Sequence, residues 1–242
     1  MKKSIRFLAA GLAAACTLSL AALAAEPETP PAVDVVTELG LMEDRADGSF
    51  DPEGTVTREE MARMVCLLLN GGKDPNLQPQ EAAFFPDTQG RALSGYVDYC
   101  ANLGVVAGRG DGTFGPEEPL TGTAAAKMLL VCVGYTSDYE RFQEHGNWDV
   151  NIGVRASEAG LFDGVDGDPK EPITRDMLAR MMYNALTMTM IQYEYKPVPG
   201  EGGVMNPVAV PAPREDGRTL LGAKFRMELV DGALQALAEP EK

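Results

Sequence analysis

The sequence predicts a mostly α-helical fold: three helix–loop–helix units around a shared core, then a C-terminal tail that is either poorly structured or a β-hairpin. Three observations predict it. Residues 39–65, LGLMEDRADGSFDPEGTVTREEMARMV, recur at residues 103–129 as LGVVAGRGDGTFGPEEPLTGTAAAKML, without a gap at an offset of 64. A third copy, AGLFDGVDGDPKEPITRDMLARMM, occupies residues 159–182 and has lost three residues in its loop. Repetition at this period marks supersecondary units that bury a common core. Each copy also sets apolar residues at helical spacing on both sides of a turn-rich loop.

The elements follow in chain order. Residues 1–25 read as a secretory signal peptide, with Lys2, Lys3 and Arg6, an apolar run, and a small-x-small site at Ala22-Leu23-Ala24. A Pro/Glu-rich spacer covers residues 26–31, and the three units are expected at 32–80, 81–137 and 138–193. The first unit starts near Val33, so its leading helix is short. In the second, Leu93, Tyr96, Val97, Cys100 and Ala101 form a helical stripe ending before Gly104, a residue suited to the positive φ of a helix C-terminus. In the third, Trp148, Ile152, Ala156 and Ala159 do the same before Gly160.

The connecting loops carry Asp47-Gly48 and Asp111-Gly112, tight-turn dipeptides followed by Phe50 and Phe114, which can plug the turn into the core. The second helices open at Thr57, Thr121 and Thr174 and bury Met61, Val65 and Leu68 in the first copy and Leu178, Met181, Met182 and Ala185 in the third. Residues 194–218 hold a cluster of Pro and Gly and read as a linker. Residues 219–242 alternate weakly and read as a hairpin turning at Asp231-Gly232. One hairpin is not stable alone, so it packs on the repeats, belongs to a larger unit, or stays disordered.

Charge and cysteine content bound the function. Removing Lys2, Lys3 and Arg6 takes the basic count from 21 to 18 against 36 acidic residues, a net of −18. That opposes non-specific binding to nucleic acid or an anionic membrane. Cys66, Cys100 and Cys132 remain after the leader, with no CxxC spacing, and read as buried small hydrophobes rather than a disulfide or metal site. An odd count leaves at least one unpaired within the chain. His145 reads as a surface loop residue. Asp44, Asp47 and Asp51 do not fit a calcium loop, because Arg45 and Gly54 fall at ligand positions. No catalytic constellation stands out, no cofactor motif is present, and the chain does not read as an enzyme.

Two of these motifs, GRGDGTFGP at residues 108–116 and TREE at residues 57–60, together with the threefold repeat, resemble the S-layer homology (SLH) domain. The resemblance implies three SLH modules in one pseudo-threefold bundle, resembling surface proteins of Gram-positive anaerobes. It implies a secreted, wall-bound protein. It also implies non-covalent binding of secondary cell-wall polysaccharide, often pyruvylated, in grooves between modules. A structural lattice subunit that assembles with other S-layer chains is the alternative.

The motif residues divide by chemistry. Thr57 and Glu60 make a capping box, each satisfying a backbone amide of the other. Arg58 and Arg175 are cations in a helix's first turn, where they oppose the dipole at about 0.3–1 kcal/mol. An anionic partner, either a bound ligand or an internal salt bridge, explains them better: guanidinium grips a carboxylate or phosphate with two parallel bonds, and the helix N-terminus adds free amides. The second copy has Gly122 there instead, and keeps Lys127 one turn further in. The expected ligand-binding set is Thr57, Arg58, Glu60, Gly48, Gly112, Lys127, Trp148, Thr174 and Arg175, with no metal ligands. Trp148 has two readings, core packing and stacking on a sugar ring.

Overall fold

A computed structural model describes residues 32–142, 146–199 and 204–238. The expected signal peptide and spacer, and His145, lie outside the described residues. Among those described, the chain is mostly α with two small sheets. The helices are α1 (Ala32–Glu38), α2 (Arg58–Leu69), α3 (Ser94–Asn102), α4 (Gly122–Val133), α5 (Trp148–Glu158), α6 (Arg175–Thr187) and α7 (Leu220–Phe225). The strands are β1 (Ile191–Pro199), β2 (Met205–Pro213), β3 (Met227–Val230) and β4 (Ala233–Ala236).

The helices pair across the copies. α2 packs on α3, α4 on α5, and α6 returns to α1, so the second helix of each copy lies against the first helix of the next. α4 also contacts both α2 and α6. The apolar stripes explain this: Met61, Val65, Leu68, Val97, Cys100, Ile152, Ala156, Leu178, Met181 and Ala185 all lie in one buried cluster. Each full burial of such a side chain is worth about 1.5–3 kcal/mol.

At one end of the bundle the segments before α2, α4 and α6 meet. Isolated β-bridges join Thr55 to Thr174, Thr57 to Pro119 and Thr121 to Pro172. Between them, the Leu120 amide donates to the Val56 carbonyl at 2.8 Å and the Ile173 amide to the Leu120 carbonyl at 2.9 Å. Val56, Leu120 and Ile173 are buried there. The three threonines cap as the sequence predicts. Thr57 Oγ1 accepts from the Glu60 amide, Thr121 Oγ1 from Ala124 and Thr174 Oγ1 from Met177. Glu60 returns the bond to the Thr57 amide at 2.7 Å, completing the capping box. The leading helices end at Gly40, Gly104 and Gly160 with φ of +69°, +70° and +74°.

The tail departs from its compositional reading. Residues 194–218, expected as linker, are mostly strand: β1 and β2 form a nine-residue antiparallel hairpin running from Ile191↔Pro213 to Pro199↔Met205. Pro197, Pro199, Pro207, Pro211 and Pro213 all fall in pairs of one parity, and the alternate pairs, such as Glu194↔Val210 and Lys196↔Val208, contain none. Proline cannot exchange an amide bond with its partner, so these are the non-hydrogen-bonded pairs, whose amides would point outward. The hairpin keeps its internal ladder while its edges lose donors that another chain could use. The second hairpin turns at Asp231-Gly232 as expected, but begins at Met227, because Leu220–Phe225 is helical under a Thr219 cap. Leu220 and Leu221 are buried in the main core, which ties the tail to the repeats.

Candidate functional site

The Asp-Gly loops are built locally. Asp47 Oδ1 accepts from the Ser49 amide and hydroxyl, and Asp111 Oδ1 from those of Thr113. These bonds hold both carboxyls below the usual aspartate range. Each loop is then clasped by an arginine from another copy. Arg58 donates through Nε to the Phe114 carbonyl at 2.9 Å and through Nη2 to that of Ala107 at 3.0 Å. Its guanidinium carbon stands 4.5 Å from the Phe114 ring centre. Arg175 repeats the arrangement on the first loop, with Nε to Phe50 O at 2.7 Å, Nη2 to Glu43 O at 2.6 Å, and the Phe50 ring at 4.6 Å.

This changes the reading of the first-turn cations. The fold itself supplies partners for them, neutral backbone carbonyls and an aromatic face, without a charged counter-ion. The helix N-terminal amides are not free either. The amides of Arg58 and Glu59 donate to the carbonyls of Glu118 and Pro116, those of Arg175 and Asp176 to Gly54 and Pro52, and those of Gly122 and Thr123 to Glu171 and Pro169. Arg175 is 3% exposed, with its guanidinium held in these contacts. Thr57, Glu60 and Thr174 are spent on caps, and Gly48 stands in its turn with φ +82°.

The two sequence failures belong to one contact. The second copy lacks the arginine and the third has the shortened, Phe-free loop, and Gly122 sits against that loop. A Cβ on Gly122 would lie 3.0 Å from Pro169 Cα and 3.1 Å from the Pro169 carbonyl oxygen. The backbone of the shortened loop stands against the helix at the position where the other copies carry the clasping arginine. Restoring the repeat signature with Gly122→Arg is therefore expected to destabilise the fold by about 2 kcal/mol through overpacking, with no clasp formed in compensation. Urea denaturation reads this directly, and a more stable variant contradicts it.

An open cleft remains beside the second loop, with a volume of about 770 Å³. It gathers Arg58, Gly112, Lys127 and Trp148 from the expected set and leaves out Thr57, Glu60, Gly48, Thr174 and Arg175. Its walls come from the loop after α3, the inner face of α4 through Ala124, Lys127 and Met128, and the start of α5 with Phe142. Trp148 is 42% exposed at its mouth, so the core-packing reading gives way and its ring is available at the opening.

The charge lining the cleft is opposite in sign to the net charge of the chain. The chain carries a net charge of −15, yet Arg58, Arg109 and Lys127 line this space and no carboxylate does among the described residues. Lys127 is 7% exposed and, among the described residues, donates only to carbonyls, those of Val105 at 3.2 Å and Gly104 at 3.4 Å. Burial, with the Arg58 charge nearby, pushes its pKa down to about 8. Burial also lowers Arg58, offset in part by Glu118 and Asp87. Arg109 is paired with Glu118 at 2.5 Å.

The equivalent cation of the first copy, Arg63, is satisfied differently: it bonds Asp74 at 2.9 Å and Glu43 at 3.1 Å. Those two carboxylates hold its pKa above the usual arginine value. Arg109 and Phe142 were not singled out from the sequence. Arg109 has a counterpart in Arg45 at the repeat offset, a signal that could have found it, whereas Phe142 belongs to no repeated motif.

The S-layer homology (SLH) domain family matches residues 25–62 and 84–126, which fall on the first and second copies. The surface layer protein of Brevibacillus choshinensis is 22% identical over 204 residues, covering 81% of this chain and 18% of that protein. The middle cell wall protein of Brevibacillus brevis is 26% identical over 79% of this chain and 19% of its own length. The S-layer protein sap of Bacillus anthracis is 27% identical over 62% of this chain and 19% of its length. The chain thus spans about a fifth of these curated relatives. Together the two domain matches and these relatives support an SLH protein associated with the cell surface and the cell wall.

Proposed function

We propose that this chain anchors to the bacterial cell wall by binding an anionic secondary cell-wall polysaccharide, non-covalently, in the cleft beside the second loop. One observation carries the reading: the buried Lys127 ammonium lines a cleft beside Arg58, with no carboxylate among the described lining residues. A buried ammonium without a counter-ion costs several kcal/mol unless a ligand supplies one. A carboxylate on the polymer, such as a pyruvate ketal, meets Lys127 and Arg58 there, and the exposed Trp148 ring offers a stacking face for the sugar. No step of this function is catalytic, and it needs no cofactor.

The cyclic packing of α2 on α3, α4 on α5 and α6 on α1 supports three SLH modules in one pseudo-threefold bundle. The modules are not equal. In the first, Glu43 and Asp74 already occupy the cation, and at the Gly122 contact the shortened loop lies against the helix. The reading is therefore of one working cleft, with affinity set locally and only modestly dependent on salt.

Co-sedimentation with purified wall sacculi, before and after hydrofluoric acid extraction of the polymer, tests this. The protein is expected to pellet with intact sacculi and to stay in solution after extraction. Equal pelleting in both contradicts polysaccharide binding.

A further inference from the structure

We infer that Cys66 and Cys100 are joined as a disulfide in the protein that reaches the cell surface, with Cys132 left as the single thiol. Cys66 lies on α2 of the first copy and Cys100 on α3 of the second, on helices packed against each other. Their sulphur atoms stand 3.6 Å apart, although the residues are 34 apart in sequence. A disulfide bond is about 2.05 Å long, so each sulphur has about 0.8 Å to travel, within reach of a side-chain rotation. Three cysteines allow three pairings. This is the one in which the structure sets two sulphur atoms against each other, and a protein of the cell surface folds where disulfides persist.

The step balances as thiol–disulfide exchange. A thiolate of the pair attacks the disulfide of an oxidant outside the membrane, either an oxidoreductase or a small-molecule disulfide, and releases one oxidant thiol. The second cysteine then attacks the mixed disulfide and releases the other. The chain loses two electrons and two protons, and the oxidant is reduced to its dithiol form.

The exchange belongs to folding, before α3 docks. In the closed structure Cys66 and Cys100 are 1% and 0% exposed, and the bond to Cys66 together with burial pushes the Cys100 pKa up, so no thiolate is presented. The same burial shields the finished bond from reductants. Cys132, 5% exposed with its pKa pushed up to about 12, stays unreactive. The link fastens the first copy to the second beside the cleft wall that Arg58 helps to hold.

The test uses the full chain recovered from the surface of a secreting Gram-positive host without reductant, unfolded in iodoacetamide, then weighed and peptide-mapped. The expected result is one alkylated cysteine, Cys132, a protein mass short by two hydrogens, and a peptide pair joining Cys66 to Cys100 in most of the material. Alkylation of all three cysteines overturns the inference. So does any link that uses Cys132.

Discussion

Arg175→Ala is expected to lower the stability of the fold by about 3 kcal/mol, among the largest effects of any single change. The side chain is 3% exposed and makes two charge-assisted bonds, 2.7 and 2.6 Å, to carbonyls of the first loop. Truncation removes the donors and leaves both acceptors facing a cavity, besides losing the contact with the Phe50 ring. Arg175→Lys is expected to recover little, because one ammonium cannot reproduce the planar two-armed grip. Urea or thermal unfolding measures both. Arg175 does not line the cleft, so polymer affinity of the folded variant should be retained. A variant of normal stability that fails to bind contradicts the clasp and restores the first-turn arginine as a ligand group.

The second large effect is on affinity as a function of pH. The Lys127 pKa is pushed down to about 8 in the free protein by burial and by Arg58, and an anion bound beside it must raise that value again. Binding then takes up a proton above pH 8, and affinity should fall by up to about tenfold per pH unit from there. Stability of the free protein runs the opposite way. Lysine binds its proton up to about pH 10.4 when unfolded, so between the two values the unfolded chain holds more protons and stability rises with pH. Calorimetric titration and thermal unfolding across pH 7–10 should therefore diverge in sign. A parallel decline in both would mean that the protein is simply unfolding.

Which parts of this were legible in the sequence follows from the range of the interactions. The capping threonines, the Asp-Gly turns and the helix-ending glycines are set by residues within a few positions, and the apolar stripes by helical period, so all of them could be read directly. The arginine clasps could not. Arg58 reaches carbonyls 49 and 56 residues away and Arg175 carbonyls 125 and 132 away. A backbone carbonyl has no residue type, so an arginine serving one looks like an arginine waiting for a ligand. The pairing of the Gly122 gap with the shortened third loop was hidden for the same reason: the two defects sit in different copies and meet only in space. The β1–β2 hairpin was hidden by composition, because prolines that belong to non-hydrogen-bonded pairs give a strand the look of a linker.

The cleft was half legible. Lys127 stood out as the retained cation of a copy that had lost its arginine. What the sequence could not show is that Arg63 at the same repeat position is neutralised by Glu43 and Asp74, while Lys127 meets only carbonyls among the described residues. The repeat sets similar residues in similar places, and local carboxylates decide which place remains open to an anion.

Lys127→Met offers the most direct measurement of that claim. Methionine has a similar length and no charge to desolvate, so the folded protein should be at least as stable as the parent. Its affinity for the polymer released from wall sacculi, measured by calorimetry at pH 7, should be weaker by about tenfold or more, with the pH dependence above 8 abolished. An unchanged affinity and pH profile in this variant would contradict the assignment of the cleft as the wall-binding site.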